Sequence, residues 1–152
     1  MAIRAEEKVP VGKGRVGFTV SNRYPVPAAK VWEAVTKARH TTRFFVEKVQ
    51  GDFTPDLTPV IWEWKEWGRH TQRPSLFQPE RKLEFHWRSH GQKYLTTVTF
   101  TLRRKGKGAE LEIHERGWPP ADVGNAFDNC SGWTTYLDNL KAYLVHGVDL
   151  RK

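Results

Sequence analysis

PADVGNAFDNCSGWTTYLDNLKAYLVHG, residues 120–147, is the stretch on which the fold turns. Ala126, Cys130, Trp133, Leu137, Leu140 and Leu144 recur alternately four and three residues apart, the spacing of one apolar stripe on a helix. Pro119 and Pro120 precede the pattern, and Gly147 follows it where a helix can end. Asp122 and Asp128 near its start and His146 near its end suit the helix dipole, each such effect being worth about 0.3–1 kcal/mol. Phe127, Tyr136 and Tyr143 widen the apolar surface, so this helix is expected to cover a whole sheet face.

Upstream, residues 47–118 read mostly as strand, punctuated by turn signals at 54–56, Gly68, 78–79, 90–91 and 105–108. Val60, Trp62 and Trp64 share one strand face, and Leu83, Phe85 and Trp87 share another. Tyr94, Thr96, Val98, Phe100 and Leu102 make a third such face; Leu111, Ile113 and Glu115 make a fourth, which ends in a carboxylate. Earlier still, Val16, Phe18 and Val20 alternate as in a half-buried strand, Val31, Trp32 and Val35 mark a short helix behind Pro27, and a second helical piece fits around 39–45. The expected class is α+β, an antiparallel sheet with two short helices after the first strand and the long C-terminal helix packed against it. A flexible arm is expected over residues 1–14, a single domain over 15–148 and a tail over 149–152.

Composition bounds the function. The 152 residues are 38% hydrophobic and 12% aromatic with seven Trp, enough for one sizeable core. A net charge of +8 favours anionic partners, but the basic residues are scattered along the chain. The one dense run, residues 103–108, reads as a solvated hairpin tip because Gly106 and Gly108 free the backbone for a turn, so no specific nucleic-acid binding is expected. The single Cys130 excludes an intrachain disulfide, and the first residues carry no apolar h-region, so a cytoplasmic location is expected. No window approaches the ~20 apolar residues that span a bilayer, and membrane insertion is not expected.

Residues 27–36, PAAKVWEAVT, resemble the first-helix signature of the START/Bet v 1-like (SRPBCC) superfamily. Residues 77–85, FQPERKLEF, are similar to the mid-sheet segment of its branch homologous to the activator of the Hsp-90 ATPase. Further similarity lies at 97–102, at 108–117 and in the closing Gly132-Trp133 with Leu137, Leu140, Tyr143 and Leu144. The resemblance implies a helix-grip fold, in which a strongly curved antiparallel sheet wraps around the C-terminal helix and leaves a cavity between them. The superfamily it points to includes lipid and hormone carriers, polyketide cyclases and other enzymes, and chaperone cofactors. The eukaryotic chaperone activators resemble this chain in their C-terminal domain.

Inward strand residues and one helix face would bound such a cavity, which makes Trp62, Trp64, Phe85, Trp87, Phe100, Ile113, Trp133 and Leu137 candidate lining residues, with core packing as the alternative role for each. Tyr94 and Tyr136 are candidate rim hydroxyls. Glu115 keeps the phase of Leu111 and Ile113, so on a regular strand its carboxylate points at the cavity or its rim, as a ligand anchor or a candidate acid/base. If the strand leaves the sheet there, Glu115 is solvated or paired with Arg116. His40, His70, His86, His90, His114 and His146 show no metal-ligand spacing, and Cys130 has no partner to complete a zinc set, so neither a metal nor a cofactor is expected. Residues 12–17 spell GxGxxG without a preceding strand, and Asn129-Cys130-Ser131 spells a sequon inside a helix, so both are chance matches.

The leading expectation is a non-covalent binder of a small apolar or aromatic ligand, with an anionic group as a variant of that class. A cyclase-like or hydrolytic enzyme using Glu115 is a second, and an interaction module steering toward a chaperone or another acidic protein is a third. The oligomeric state stays open.

Overall fold

The computed structural model describes residues 10–14, 16–89 and 91–152. Its elements run in the order β1 (Val16–Tyr24), α1 (Ala28–Thr36), α2 (Ala38–Thr41), β2 (Lys48–Gln50), β3 (Val60–Trp64), β4 (Gly68–Gln78), β5 (Lys82–Trp87), β6 (Thr96–Lys105), β7 (Gly108–Trp118) and α3 (Val123–His146), with a 3₁₀ turn at Pro120–Asp122. The strands form one antiparallel sheet in the spatial order β1-β7-β6-β5-β4-β3-β2. From the edge strand β1 the chain passes through both short helices to the opposite edge, then returns hairpin by hairpin until β7 pairs with β1. This is the expected α+β helix-grip architecture, a curved open sheet with a long helix laid on it.

Period-two patterning makes the sheet two-faced. In β5, Leu83, Phe85 and Trp87 are buried while Lys82, Glu84 and His86 are partly exposed; in β7, Ala109, Leu111, Ile113 and Glu115 are all buried. The helix covers this inner face with Ala126, Trp133, Tyr136, Leu137 and Leu140. Ring centroids of Trp133 and Phe100 lie 5.5 Å apart, those of Trp62 and Phe85 6.2 Å, and those of Phe45 and Tyr136 4.8 Å, all edge-on, a favoured aromatic geometry. Two side-chain bonds fix the height of the helix: Tyr24 donates its hydroxyl to the Leu137 carbonyl at 2.9 Å, and Asn139 donates to the Phe44 carbonyl at 3.0 Å.

Near its end β7 carries a bulge. Val16 pairs with Trp118 but Gly17 pairs with Arg116, leaving Gly117 as the extra residue with a φ of 124° that side chains rarely adopt. The bulge turns Trp118 into the interior, where it stacks on Phe18 at 5.7 Å.

Several details depart from the sequence pattern. Phe127 is 69% exposed, because it lies about 100° around the helix from Ala126 and faces water. Tyr136 is fully buried instead of standing at a rim, and its hydroxyl meets no hydrogen-bond partner among the described residues. Residues 1–9 of the expected arm, along with His90, lie outside the described residues, but residues 10–12 are tied to the start of β6. There the Gly12 N–H donates to the Leu95 carbonyl at 2.7 Å and the Leu95 N–H donates to Pro10 at 2.9 Å. In the tail, Arg151 donates to the carbonyls of Thr42 and Val46.

The core predicts an asymmetric response to truncation. Phe100→Ala should lower the unfolding free energy by about 3–5 kcal/mol and Phe127→Ala by less than about 0.5 kcal/mol. Urea denaturation of the two variants checks this, and equal losses would contradict the packing described.

Candidate functional site: a buried carboxylate behind an aromatic cleft

Strand β7 stays regular through Glu115, which pairs with Phe18 on one side and Val98 on the other. The residue therefore keeps the inward phase of Leu111 and Ile113 and is wholly buried. Its charge is met by neutral donors. The Trp87 indole donates to Oε2 at 2.8 Å, the Thr96 hydroxyl to Oε2 at 2.6 Å and the Trp133 indole to Oε1 at 2.7 Å. Asn129 spans both oxygens with its amide nitrogen, at 3.1 and 3.2 Å. Arg116, its sequence neighbour, points to the other face and pairs with Glu84 at 3.3 Å.

Two opposed effects act on this carboxyl. Burial raises its pKa, and the hydrogen bonds from Thr96, Trp87, Trp133 and Asn129 pull it down, leaving it above the ordinary value of 4.5. An indole can only donate, so Trp87 and Trp133 both need the acceptor that Glu115 supplies. The carboxylate thus orients two tryptophans from different layers, one on β5 and one on α3.

In front of this network lies a cleft of 570 Å³. Phe45, Trp64, Trp67 and Trp87 form its sheet side, joined by His70 and Ser89; Asn125, Asp128, Asn129, Ser131, Gly132 and Thr135 form its helix side. The walls are pinned from behind: Trp64 donates its indole N–H to the Phe45 carbonyl at 3.0 Å. His70, itself buried, sets its two ring nitrogens 3.1 Å from the Arg88 carbonyl and 2.9 Å from the Trp67 carbonyl. Trp87 and Asn129 both line the cleft and both bind Glu115, so the carboxylate stands one layer behind the surface a ligand would meet.

The candidate residues separate into layers. Trp64 and Trp87 line the cleft, and Glu115 and Trp133 form the network behind it. Trp62, Phe85, Phe100, Ile113, Tyr136 and Leu137 are buried in the core beneath. Tyr94 lies apart and donates its hydroxyl to Asp122 at 2.6 Å, tying the β5–β6 connection to the start of the helix. Sequence reading did not single out Phe45, Trp67, His70 or Asn129 for a site. Asn129 had a legible signal, since it stands four residues before Trp133 and shares its helix face. Phe45 and Trp67 sit in turns, where alternation carries no information. Among the described residues no group of His, Cys, Asp and Glu gathers as a metal site, and no helix is long and apolar enough to cross a membrane.

Comparison with known proteins agrees with this architecture. Residues 25–145 match the family model of the Activator of Hsp90 ATPase homolog 1-like proteins. The chain belongs to that family. The matched span runs from the end of β1 to the last turn of α3, so it takes in every residue of the Glu115 network. Among curated proteins none matches. Solved structures of the same fold include DynU16, a protein in the dynemicin biosynthetic locus, at 22% identity and a TM-score of 0.74; the match covers 86% of this chain and 48% of that one. The protein SSP2350 from Staphylococcus saprophyticus matches at 18% identity and a TM-score of 0.77, covering 90% and 96%. The Aha1 dimer from Colwellia psychrerythraea matches at 14% identity and a TM-score of 0.75, covering 87% and 98%. At such identities the likeness is one of fold.

The Glu115 network leads to a signed pH dependence. Glu115→Gln preserves shape but turns an NH₂ toward donors, at a cost of about 1–3 kcal/mol. Because the wild-type carboxyl titrates higher folded than unfolded, its favourable contribution is complete below the unfolded value and fades as pH rises through the folded one. The stability margin of wild type over Glu115→Gln, measured by urea denaturation from about pH 4 to about pH 9, should therefore narrow as pH rises. A margin that widens with pH would contradict the assigned shift.

Proposed function

We propose that this Activator of Hsp90 ATPase homolog 1-like chain binds a small apolar or aromatic molecule in the cleft between the β3–β4 hairpin, the end of β5 and the first half of α3. The observation that carries this reading is the cleft itself. Its 570 Å³ falls in the range of small-molecule sites, about 300–1,000 Å³, and four aromatic side chains face a strip of small polar ones across it. A flat apolar ligand would bury its faces against the tryptophans and direct its polar atoms to Asn125, Asn129, Ser131 or Thr135.

Glu115 serves this site by positioning. A general base must come within hydrogen-bond reach of the proton it takes, and Trp87 and Asn129 stand between the carboxylate and the cleft while occupying its oxygens. Turnover is therefore not needed to account for the arrangement. The interior beneath, filled by Trp62, Phe85, Phe100 and Tyr136, serves as a rigid floor.

Gly132 supplies a direct test. It lines the cleft, its φ is ordinary, and a Cβ built on it meets no atom within 4 Å. Gly132→Phe should therefore fill the cleft without straining the fold, and a side chain there favours the helix over glycine. Native mass spectrometry and tryptophan fluorescence with fatty acids, flavonoids and aromatic polyketides should find one-to-one binding by the wild type, weakened at least about tenfold in Gly132→Phe. If no compound binds, or if the filled variant binds as well as the wild type, the reading fails.

A further inference from the structure

A second cleft, of 610 Å³, opens on the far side of the rim. Trp67, His70 and Ser89 line both spaces, so the two clefts share a wall. The second owes its chemistry to strand phase. While His70 and Gln72 of β4 point inward and are buried, Arg69, Thr71 and Arg73 take the opposite phase. The register sets Arg73 against His86, which brings Arg88, just past the end of β5, to the same side of the sheet. Gly91, with a φ of 81°, lines the cleft together with Gln92 and Leu95 from the same β5–β6 connection.

Three arginines, Arg69, Arg73 and Arg88, line this space, and among the described residues no acidic one does. Several arginines elsewhere pair with acids: Arg103 lies 3.3 Å from Glu112, Arg116 3.3 Å from Glu84 and Arg151 2.8 Å from Asp149. Arg69 and Arg88 form no ion pair among the described residues. Beside them is a buried donor. Gln92 lines the cleft at 5% exposure; its Oε1 is held by the Trp118 indole at 2.5 Å, which fixes the amide, and its Nε2 has no partner among the described residues. An anionic oxygen is the group that would satisfy both the guanidinium forks and an amide N–H.

We propose that this cleft is a subsite for an anionic group, a carboxylate, sulfonate or phosphate, on the same molecule whose aromatic body occupies the neighbouring cleft. The ligand class is then an amphiphilic aromatic anion that straddles the rim formed by Trp67 and His70. The inference rests on the reading of the aromatic cleft as a binding site and adds to it the requirement for negative charge.

Two fluorescent probes separate the statements. 8-Anilinonaphthalene-1-sulfonate and N-phenyl-1-naphthylamine share one aromatic body and differ by the sulfonate. Titrated into the wild type at low salt, the sulfonate should bind at least about tenfold more tightly. That preference should disappear in Arg69→Gln/Arg88→Gln and shrink at high salt, while the affinity of the neutral probe stays unchanged, which also shows that the variant is folded. The Gln92 side-chain amide resonance should move with the sulfonate alone. Equal wild-type affinities, or a preference that survives both the double variant and high salt, would overturn the anion subsite and leave the aromatic cleft standing. Binding of neither probe would overturn both.

Discussion

A carboxylate with no counter-ion in a protein interior is costly, by several kcal/mol even after relaxation. Glu115 is such a group, and its compensation organises the site around it. Trp87 comes from β5, Thr96 from β6, and Asn129 and Trp133 from successive turns of α3, so one side chain joins three elements through hydrogen bonds of 2.6–3.2 Å. A donor lost from this set would leave charge unmet, and a lost carboxylate would leave two buried indoles without an acceptor. The helix consequently has one height and one rotation over this end of the sheet.

That constraint explains why the space under α3 is divided. Toward its C-terminal half the helix presents Tyr136, Leu137 and Leu140 to the sheet, and large apolar side chains close the interior. Toward its N-terminal half it presents Asn125, Asn129, Gly132 and Thr135, short side chains that cannot reach the facing tryptophans. The polar network lies at the border between the two regimes. Packing supplies the floor, hydrogen bonds hold the wall, and the cleft is what the small residues leave open.

Family membership bears on the scaffold more than on the occupant. A fold of this kind hosts unrelated activities, so a functional reading has to come from the side chains that border the cleft. Here those are an aromatic wall, a polar helix edge and, across a shared rim, three arginines. The charge of +8 acquires local meaning in this setting, because several arginines elsewhere pair with acids while Arg69 and Arg88 form no ion pair among the described residues.

Much of the scaffold could be read directly from residue order. Helical spacing from Ala126 to Leu140 and strict alternation through Leu83, Phe85 and Trp87 or through Leu111, Ile113 and Glu115 are local signals, since a side chain's phase follows from backbone geometry alone. The same local rule turned Glu115 inward only on the condition that the strand stayed regular to that point, which register with β1 and β6 decided. What it could not determine was the company Glu115 keeps, because Trp87, Thr96, Asn129 and Trp133 are 14 to 28 residues away in the chain and meet it only through strand register and the seating of the helix. Nor could spacing separate Trp64 and Trp87, which border open space, from Trp62 and Phe85, which fill the core, since all share one phase. Phe45 and Trp67 stand in turns, and Arg69 in β4 and Arg88 just past β5 are brought to one cleft by the pairing of those two strands. Periodicity assigns each residue to a face; only long-range packing decides which faces meet and where space remains between them.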